Sequence, residues 1–289
     1  VCRAAAARGV RVTGAEIVGL MPKRVLLDAG RHYLEMQQRS VGIPEDDIIQ
    51  IAIKSMSLDQ LKPFYPKEKV IEMLLEADDT QKLVDLSVKA FTEETSRESP
   101  APGGGTIAAC MGAMGAALGT MVANLSAHKR GWDERWEEFS RWAEKGQALQ
   151  SRLLRLIDDD TAAFNEIMAA FGMPKSDDEE KALRSAAIQT ATLHAAQVPL
   201  ETMKTAFEAF ALCKAMAENG NPNSISDAGV GALAIRAAVR GACMNVKINA
   251  SSLKDRSLAE PLIAEADRIA EEADREEAAI TSFINARLV

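Results

Sequence analysis

Three consecutive aspartates, Asp158-Asp159-Asp160, stand inside a long helical pattern and are the sharpest chemical signal in the sequence. At about 100° per residue, Leu149, Leu153, Ile157, Phe164, Ile167, Met168 and Phe171 fall on one apolar stripe. Asp160 lies in that stripe, whereas Asp158 and Asp159 turn to other sides and are expected to face water. A carboxylate on a buried face is costly unless it is paired, hydrogen-bonded or used. Two readings stay open for Asp160: a structural partner of a buried Arg or a helix end, or an acid–base group with a raised pKa.

A second signal is the stretch Pro100 to Ala127, where Pro102 leads into Gly103-Gly104-Gly105-Thr106 and then some twenty uncharged residues. Glycines let backbone N–H groups approach a ligand, and a helix opening near Thr106 would place them at its positive end, suited to a carboxylate or phosphate. Pro102, Gly103, Gly104, Gly105 and Thr106 are therefore candidate binding residues; a plain turn before a core helix is the alternative. By length the run could also span a membrane, about 33 Å at 1.5 Å per residue. Its Ala/Gly richness, with Asn124 and Ser126 inside, argues for a buried soluble helix instead. Gly115 and Gly119 invite close helix contact, including contact between subunits.

Gly220-Asn221-Pro222-Asn223-Ser224-Ile225-Ser226-Asp227 offers two amides, hydroxyls and a carboxylate at a helix start. Asn221, Asn223 and Asp227 could read the edge of a heterocycle, or serve as ordinary turn and cap residues. Asn245 and Asn249, four apart, could line the same mouth. Lys129 and Arg130 could hold an anionic tail or form a solvated hinge.

The elements that must position these groups read as mainly helical. Residues 11–22 pattern as a short strand ended by Pro22, followed by a helix to about Gln38 and another from Pro44, giving a small mixed α/β piece. Asp79-Thr80 is expected to cap a helix to about Thr95, with no convincing strand beyond residue 83. Helices follow from Thr106 to about His128, from Trp132 to Phe171, and from a Ser176–Glu179 capping box to Asn219, with a kink or break at Pro199. Ser224 with Asp227 opens a further helix to about Asn245, and Pro261 to Arg287 forms an outer one. The chain has 289 residues and a net charge of −8, which argues against a general nucleic-acid surface. Four scattered cysteines point to thiols of a reducing, cytoplasmic compartment, and three histidines without ligand spacing give no zinc site. With no initiator Met, the sequence reads as a fragment of something longer.

APGGGT, IDDDTAAF, MPKSDDEEKALR, VPLE, NGNPNSISDAGVGAL and NVKINASSLKD occur in one order over about residues 79–260. Together they resemble the formimidoyltetrahydrofolate cyclodeaminase family. TGAEIVGLMPKRVLLDAG, QQRSVGIPEDDIIQIA and LKPFYPKEKVIE resemble the end of a glutamate formiminotransferase domain. The order is similar to the bifunctional arrangement of histidine breakdown. The resemblance implies an α/β transferase remnant over 1–76, without a catalytic histidine region and so inactive alone, and an all-helical domain over 77–289. It implies a dimer, no metal or cofactor, and a folate substrate that is polyglutamylated. The implied reaction is closure of 5-formiminotetrahydrofolate to 5,10-methenyltetrahydrofolate with loss of ammonia, and the family's carboxylate matches Asp160. Methenyltetrahydrofolate cyclohydrolase activity and a non-catalytic oligomerisation module are the alternatives.

Overall fold

The computed structural model describes residues 2–76 and 82–288. Its helices are, in chain order, α1 (Cys2–Ala6), α2 (Lys23–Met36), α3 (Glu45–Ser55), α4 (Pro66–Lys69), α5 (Ile71–Glu76) and α6 (Val88–Thr95). The larger ones follow: α7 (Gly104–Ala127), α8 (Trp136–Gly172), α9 (Asp178–Asn219), α10 (Ile225–Ser251) and α11 (Arg256–Asn285).

Two cores form. The smaller joins α2 and α3 through Leu26, Leu27, Leu34, Ile48, Ile49 and Ile53, with Val70 and Met21 at its edge. The expected strand over 11–22 does not form: among the described residues the only β pairing is a parallel bridge between Met21 and Val70. A strand needs a partner along its length, and here Val18 (88% exposed) and Leu20 have none to bury them. The piece is therefore helical with one bridge, and a mixed α/β character is absent from its described residues.

The larger core belongs to α7–α11 and is filled by Phe139, Leu153, Met203, Phe210, Leu212 and Ile235 among many alanines. Small residues let α7 approach its neighbours: a Cβ on Gly112 would already touch Leu153, Ala206 and Ala238. By length and composition α7 could cross a membrane, yet most of its apolar length is covered by α8, α9 and α10. Gly115 and Gly119 face inward, onto Ile235 and Leu212, so they serve packing within the subunit.

Several helix ends differ from expectation. The Asp79-Thr80 cap lies outside the described residues; α6 starts later, with Ser87 Oγ accepting from Ala90 N at 3.2 Å. The cap of α9 is Asp177, one residue on from Ser176, and Glu180 reaches back to Ser176 N at 2.7 Å. Ser224 makes no side-chain cap, because a 3₁₀ turn at Pro222–Ser224 feeds α10 directly. That helix extends past Asn245 to Ser251 and carries Asn249 on its last turns. Gly131, at φ +85°, turns the chain between α7 and α8 in the left-handed region that favours glycine.

Of the kink or break expected at Pro199, the break does not occur: α9 runs unbroken through it. Proline lacks the N–H that would bond the carbonyl of Ala195, and Asn249 Nδ2 donates to that carbonyl at 2.7 Å instead. The carbonyl that the proline leaves open inside the helix is thus satisfied by a neighbouring side chain.

The two cores meet at residues 40–42. Three backbone groups there each find a side chain of the helical body. Ser40 N donates to His128 Nε2 (3.2 Å), Val41 N to Ser140 Oγ (3.1 Å), and Gly42 O accepts from Asn124 Nδ2 (2.8 Å). Gly42 lies against the backbone of Ala143, where no Cβ would fit. Burial and the charge of Arg39 hold the His128 pKa down, which keeps its ring neutral and able to accept.

Candidate active site

Where the N-terminus of α7 meets α8, α9 and α10, a cavity of about 220 Å³ opens. Its floor is the glycine turn. Gly103 N donates to Thr106 Oγ1 at 3.3 Å, and Thr106 Oγ1 in turn donates to Asp160 Oδ2 at 2.8 Å. The Thr106 backbone N–H also bonds Asp160, so the carboxylate sits at the positive end of α7. A Cβ on Gly105 would sit 2.8 Å from both Cγ and Oδ2 of Asp160 and closer still to its Oδ1. The glycine is there because the carboxylate occupies the side-chain position. Gly104 faces Asn245, 3.2 Å from where its Cβ would lie.

Asp160 has a helix end for a partner and no Arg. Among the described residues no Lys or Arg pairs with it. Burial is the largest influence on its pKa and raises it; the bonds from Thr106 oppose that but do not cancel it. A half-buried carboxyl with a raised pKa, lining a cavity, can accept and return a proton at accessible cost. Thr161 Oγ1, the next residue on α8, is buried at the cavity and has no hydrogen-bond partner among the described residues. An unsatisfied buried hydroxyl costs free energy that a bound polar ligand would recover.

Of the sequence candidates, Gly103, Gly104, Gly105, Thr106, Asp160, Asn245 and Asn249 line this cavity. Pro102 does not: its ring is buried beneath the turn, and Pro100 and Ala101 line the wall instead. Lys129, Asn221, Asn223 and Asp227 lie at the far end. Asn221 N donates to Ser126 Oγ (2.8 Å) in the last turn of α7, about 30 Å along the helix from Thr106. Lys129 stands over the Trp132 ring, 4.0 Å from its centroid. Asn221 Oδ1 accepts from Asn223 N at 3.2 Å, which is ordinary turn chemistry.

Asp158 also departs from expectation. It faces the segment before α6 and accepts from Leu83 N at 2.9 Å, so it anchors that turn to α8; burial raises its pKa against those bonds. Asp159 is exposed as expected, whereas Met168 and Phe171, placed in the apolar stripe, are about half exposed. Thr161, Phe164 and Ala195 also line the cavity and were not singled out. Phe164 stands four residues after Asp160, one helical turn away, a signal the spacing did contain. Ala195 carries no chemical side chain and could be found only in three dimensions.

The sequence matches the family described as formiminotransferase-cyclodeaminase over residues 87–268 and a formiminotransferase domain over residues 1–76. The formimidoyltransferase-cyclodeaminase of Rattus norvegicus is 33% identical over 277 residues, 96% of this chain and 51% of that protein. The methenyltetrahydrofolate cyclohydrolase of Methylorubrum extorquens is 42% identical over 187 residues, 65% of this chain and 90% of that protein. The solved structure of formiminotetrahydrofolate cyclodeaminase from Thermotoga maritima superposes with a TM-score of 0.64 at 26% identity, covering 72% of this chain and all of that one. The chain spans about half the length of the bifunctional curated relatives it matches. With a family match over most of its length, a helical body that superposes on a solved cyclodeaminase, and the glycine turn and Asp160 in one cavity, the chain belongs to the formiminotransferase-cyclodeaminase family.

Proposed function

We propose that the helical body closes 5-formiminotetrahydrofolate to 5,10-methenyltetrahydrofolate and releases ammonia, with Asp160 moving the proton. N10 attacks the formimino carbon and loses its proton to the Asp160 carboxylate. The formimino group reacts as its amidinium, with two hydrogens on nitrogen. That nitrogen takes the N10 proton from Asp160 as its bond to carbon breaks and leaves as ammonia, and the positive charge stays on the N5–C–N10 unit of the product. One carboxyl group serves both transfers, and orientation of N10 towards the carbon supplies the remainder. Acid–base chemistry and orientation balance the reaction, so the mechanism calls on no metal or cofactor. The observation that carries the reading is the Asp160 carboxyl held by Thr106 at the glycine turn of a ligand-sized cavity.

We divide the chain into 1–76, the end of a transferase domain, and 77–289, the cyclodeaminase domain; family matches over 1–76 and 87–268 and the separate main cores support this reading. Free cysteines fit a cytoplasmic enzyme. The cyclohydrolase reading has its own support in the 42% identical relative. The adjoining transferase match favours the deaminase, since a transferase would make its substrate. Absorbance at the methenyl-folate band decides: growth from 5-formiminotetrahydrofolate with one ammonia per turnover is expected. Decay of 5,10-methenyltetrahydrofolate without formimino turnover would instead make the chain a cyclohydrolase, and neither would leave a non-catalytic module.

At about 220 Å³ the cavity is smaller than the roughly 300–1,000 Å³ of sites enclosing drug-sized ligands, so it suits the pterin head alone. Beyond it lies a basic hollow of about 340 Å³ lined by Lys175, Lys181, Arg184 and Lys254. Ile188, in that hollow, is two turns, about 10 Å, from Ala195 in the cavity wall. Of the four cations only Lys181 has a carboxylate partner among the described residues, Asp178. Carboxylates of a polyglutamylated tail fit there.

We further propose a homodimer. Ile107, Met111, Met114, Leu118, Met121 and Leu125 repeat at 4-3-4-3-4 spacing on α7, the seam of a coiled coil. Met114, Met121 and Leu125 are exposed on it, and Val230, Leu233, Met244 and Ile248 extend the patch on α10. An antiparallel pair centred near Ala116 would bring Lys129 and the Asn221 turn of the second copy towards the glycine turn. Sedimentation is expected to give a dimer that Met121→Glu converts to monomer; a monomeric, fully active wild type would remove the second copy from the mechanism.

A further inference from the structure

The side chain of Asn249 is oriented by a defect in a neighbouring helix. Because Pro199 has no N–H, the carbonyl of Ala195 is open, and Asn249 Nδ2 fills it at 2.7 Å. A carbonyl can only accept, so the nitrogen end of the amide must face Ala195 and its Oδ1 end must face away. Both residues line the cavity, so the exposed end of Asn249 is an acceptor. Asn245, one turn earlier, is set in the same sense: its Nδ2 donates to Gly241 O at 3.0 Å. Each amide thus commits one of its two N–H groups to a backbone carbonyl, which fixes its orientation, and neither Oδ1 accepts a hydrogen bond among the described residues. The α10 wall of the cavity offers acceptors, while the opposite wall holds Asp160 and the Thr106 hydroxyl.

We propose that Asn249, with Asn245 beside it, recognises the donor edge of the ligand, and that Pro199 is the positioning residue that fixes this polarity. On the folate reading, on which this rests, the matching edge is the 2-amino group and adjacent ring N–H of the reduced pterin, two donors side by side. The proline acts by absence. With a residue that has an N–H, α9 would satisfy Ala195 itself, and Asn249 would be free to turn either end to the cavity.

The test is Pro199→Ala, read by steady-state kinetics on 5-formiminotetrahydrofolate and by calorimetric binding of 5-formyltetrahydrofolate as a stable probe. KM and the probe Kd are expected to rise about ten-fold, the worth of one well-placed hydrogen bond, with kcat within two-fold. Tm should stay level or rise, since alanine is far better than proline inside a helix. A proline with a purely structural role would shift Tm and leave KM alone, which overturns the proposal. Asn249→Ala, with Pro199 intact, must show the same ten-fold loss; wild-type affinity there also overturns it. The double variant should be no worse than Asn249→Ala alone, whereas additive losses would show that the two residues act separately. If the wild type neither binds the probe nor turns over a folate, the folate reading falls and takes the donor-edge assignment with it. A working wild type with an unaffected Pro199→Ala sinks the positioning role only.

Discussion

Asp160→Asn is expected to lower kcat by about 10²- to 10⁴-fold, the usual worth of a general acid–base group, while the folded protein becomes no less stable. Asparagine keeps the size of the side chain and an oxygen to accept from the Thr106 hydroxyl and N–H. It cannot carry the proton. The stability half follows from the direction of the pKa shift. Burial raises the folded pKa of Asp160 above the unfolded value of about 3.9, so between the two the folded state binds more protons. This group's contribution therefore falls as pH rises through that window, and at neutral pH the wild type holds a carboxylate that burial disfavours. Asn removes the penalty, so Tm of the variant should equal or exceed that of the wild type above the window and converge with it below. A large fall in Tm would make Asp160 a structural anchor of α7, and retained kcat would end its catalytic assignment. Asp159→Asn is the clean control because the side chain is exposed. Asp158→Asn is not, because its carboxylate holds Leu83 N.

Gly105→Ala is the second large effect. One methyl group would occupy the space of the Asp160 carboxylate, with Cγ only 2.8 Å away, and the turn cannot retreat because Thr106 is fully buried behind it. The carboxylate must leave its place between the Thr106 donors and the cavity. We expect kcat to fall about 10²-fold or more, as misplacement of a reacting group by about 1 Å can do, with a smaller rise in KM. Gly104→Ala serves as comparison: its Cβ would meet the end of the Asn245 amide at 3.2 Å, a contact a small shift relieves, so KM should rise modestly and kcat hold. Gly104→Val, with two more methyl groups at that wall, should raise KM further. Equal kcat in Gly105→Ala and wild type would mean that the carboxylate does not need its present position.

What was legible in the sequence was local. The helices α7, α8, α10 and α11 and the stripe position of Asp160 depend on neighbours within a few turns, and each is present, although α10 runs on to Ser251 and α11 starts at Arg256, before the expected Pro261. What was not legible depends on partners far along the chain. Val12, Val18 and Leu20 pattern as a strand over 11–22, but among the described residues no second strand lies alongside, so they stay exposed. Pro199 reads as a break because nothing nearby can replace its bond; the replacement comes from Asn249, fifty residues on. Asn221 has the chemistry of a site, and spacing could not tell which end of α7 it occupies; Lys129 directly follows α7 and so stands a full helix length from the glycine turn. Asp158 looked idle because its partner, Leu83, belongs to a turn that folds back from 75 residues away.

The seam between the two cores has a consequence for how the halves of the chain hold their mutual orientation. Ser40, Val41 and Gly42 are gripped by three directional bonds, and Gly42 rests on the backbone of Ala143. Because the halves share one chain, the seam need not be strong, since tethering supplies a high effective concentration. Its three bonds fix alignment, because each is directional and a relative slide of the halves lengthens or bends them together. The joint behaves like a dowelled one, weak against being pulled apart and intolerant of shear, and acid that protonates His128 would withdraw one of its three pins.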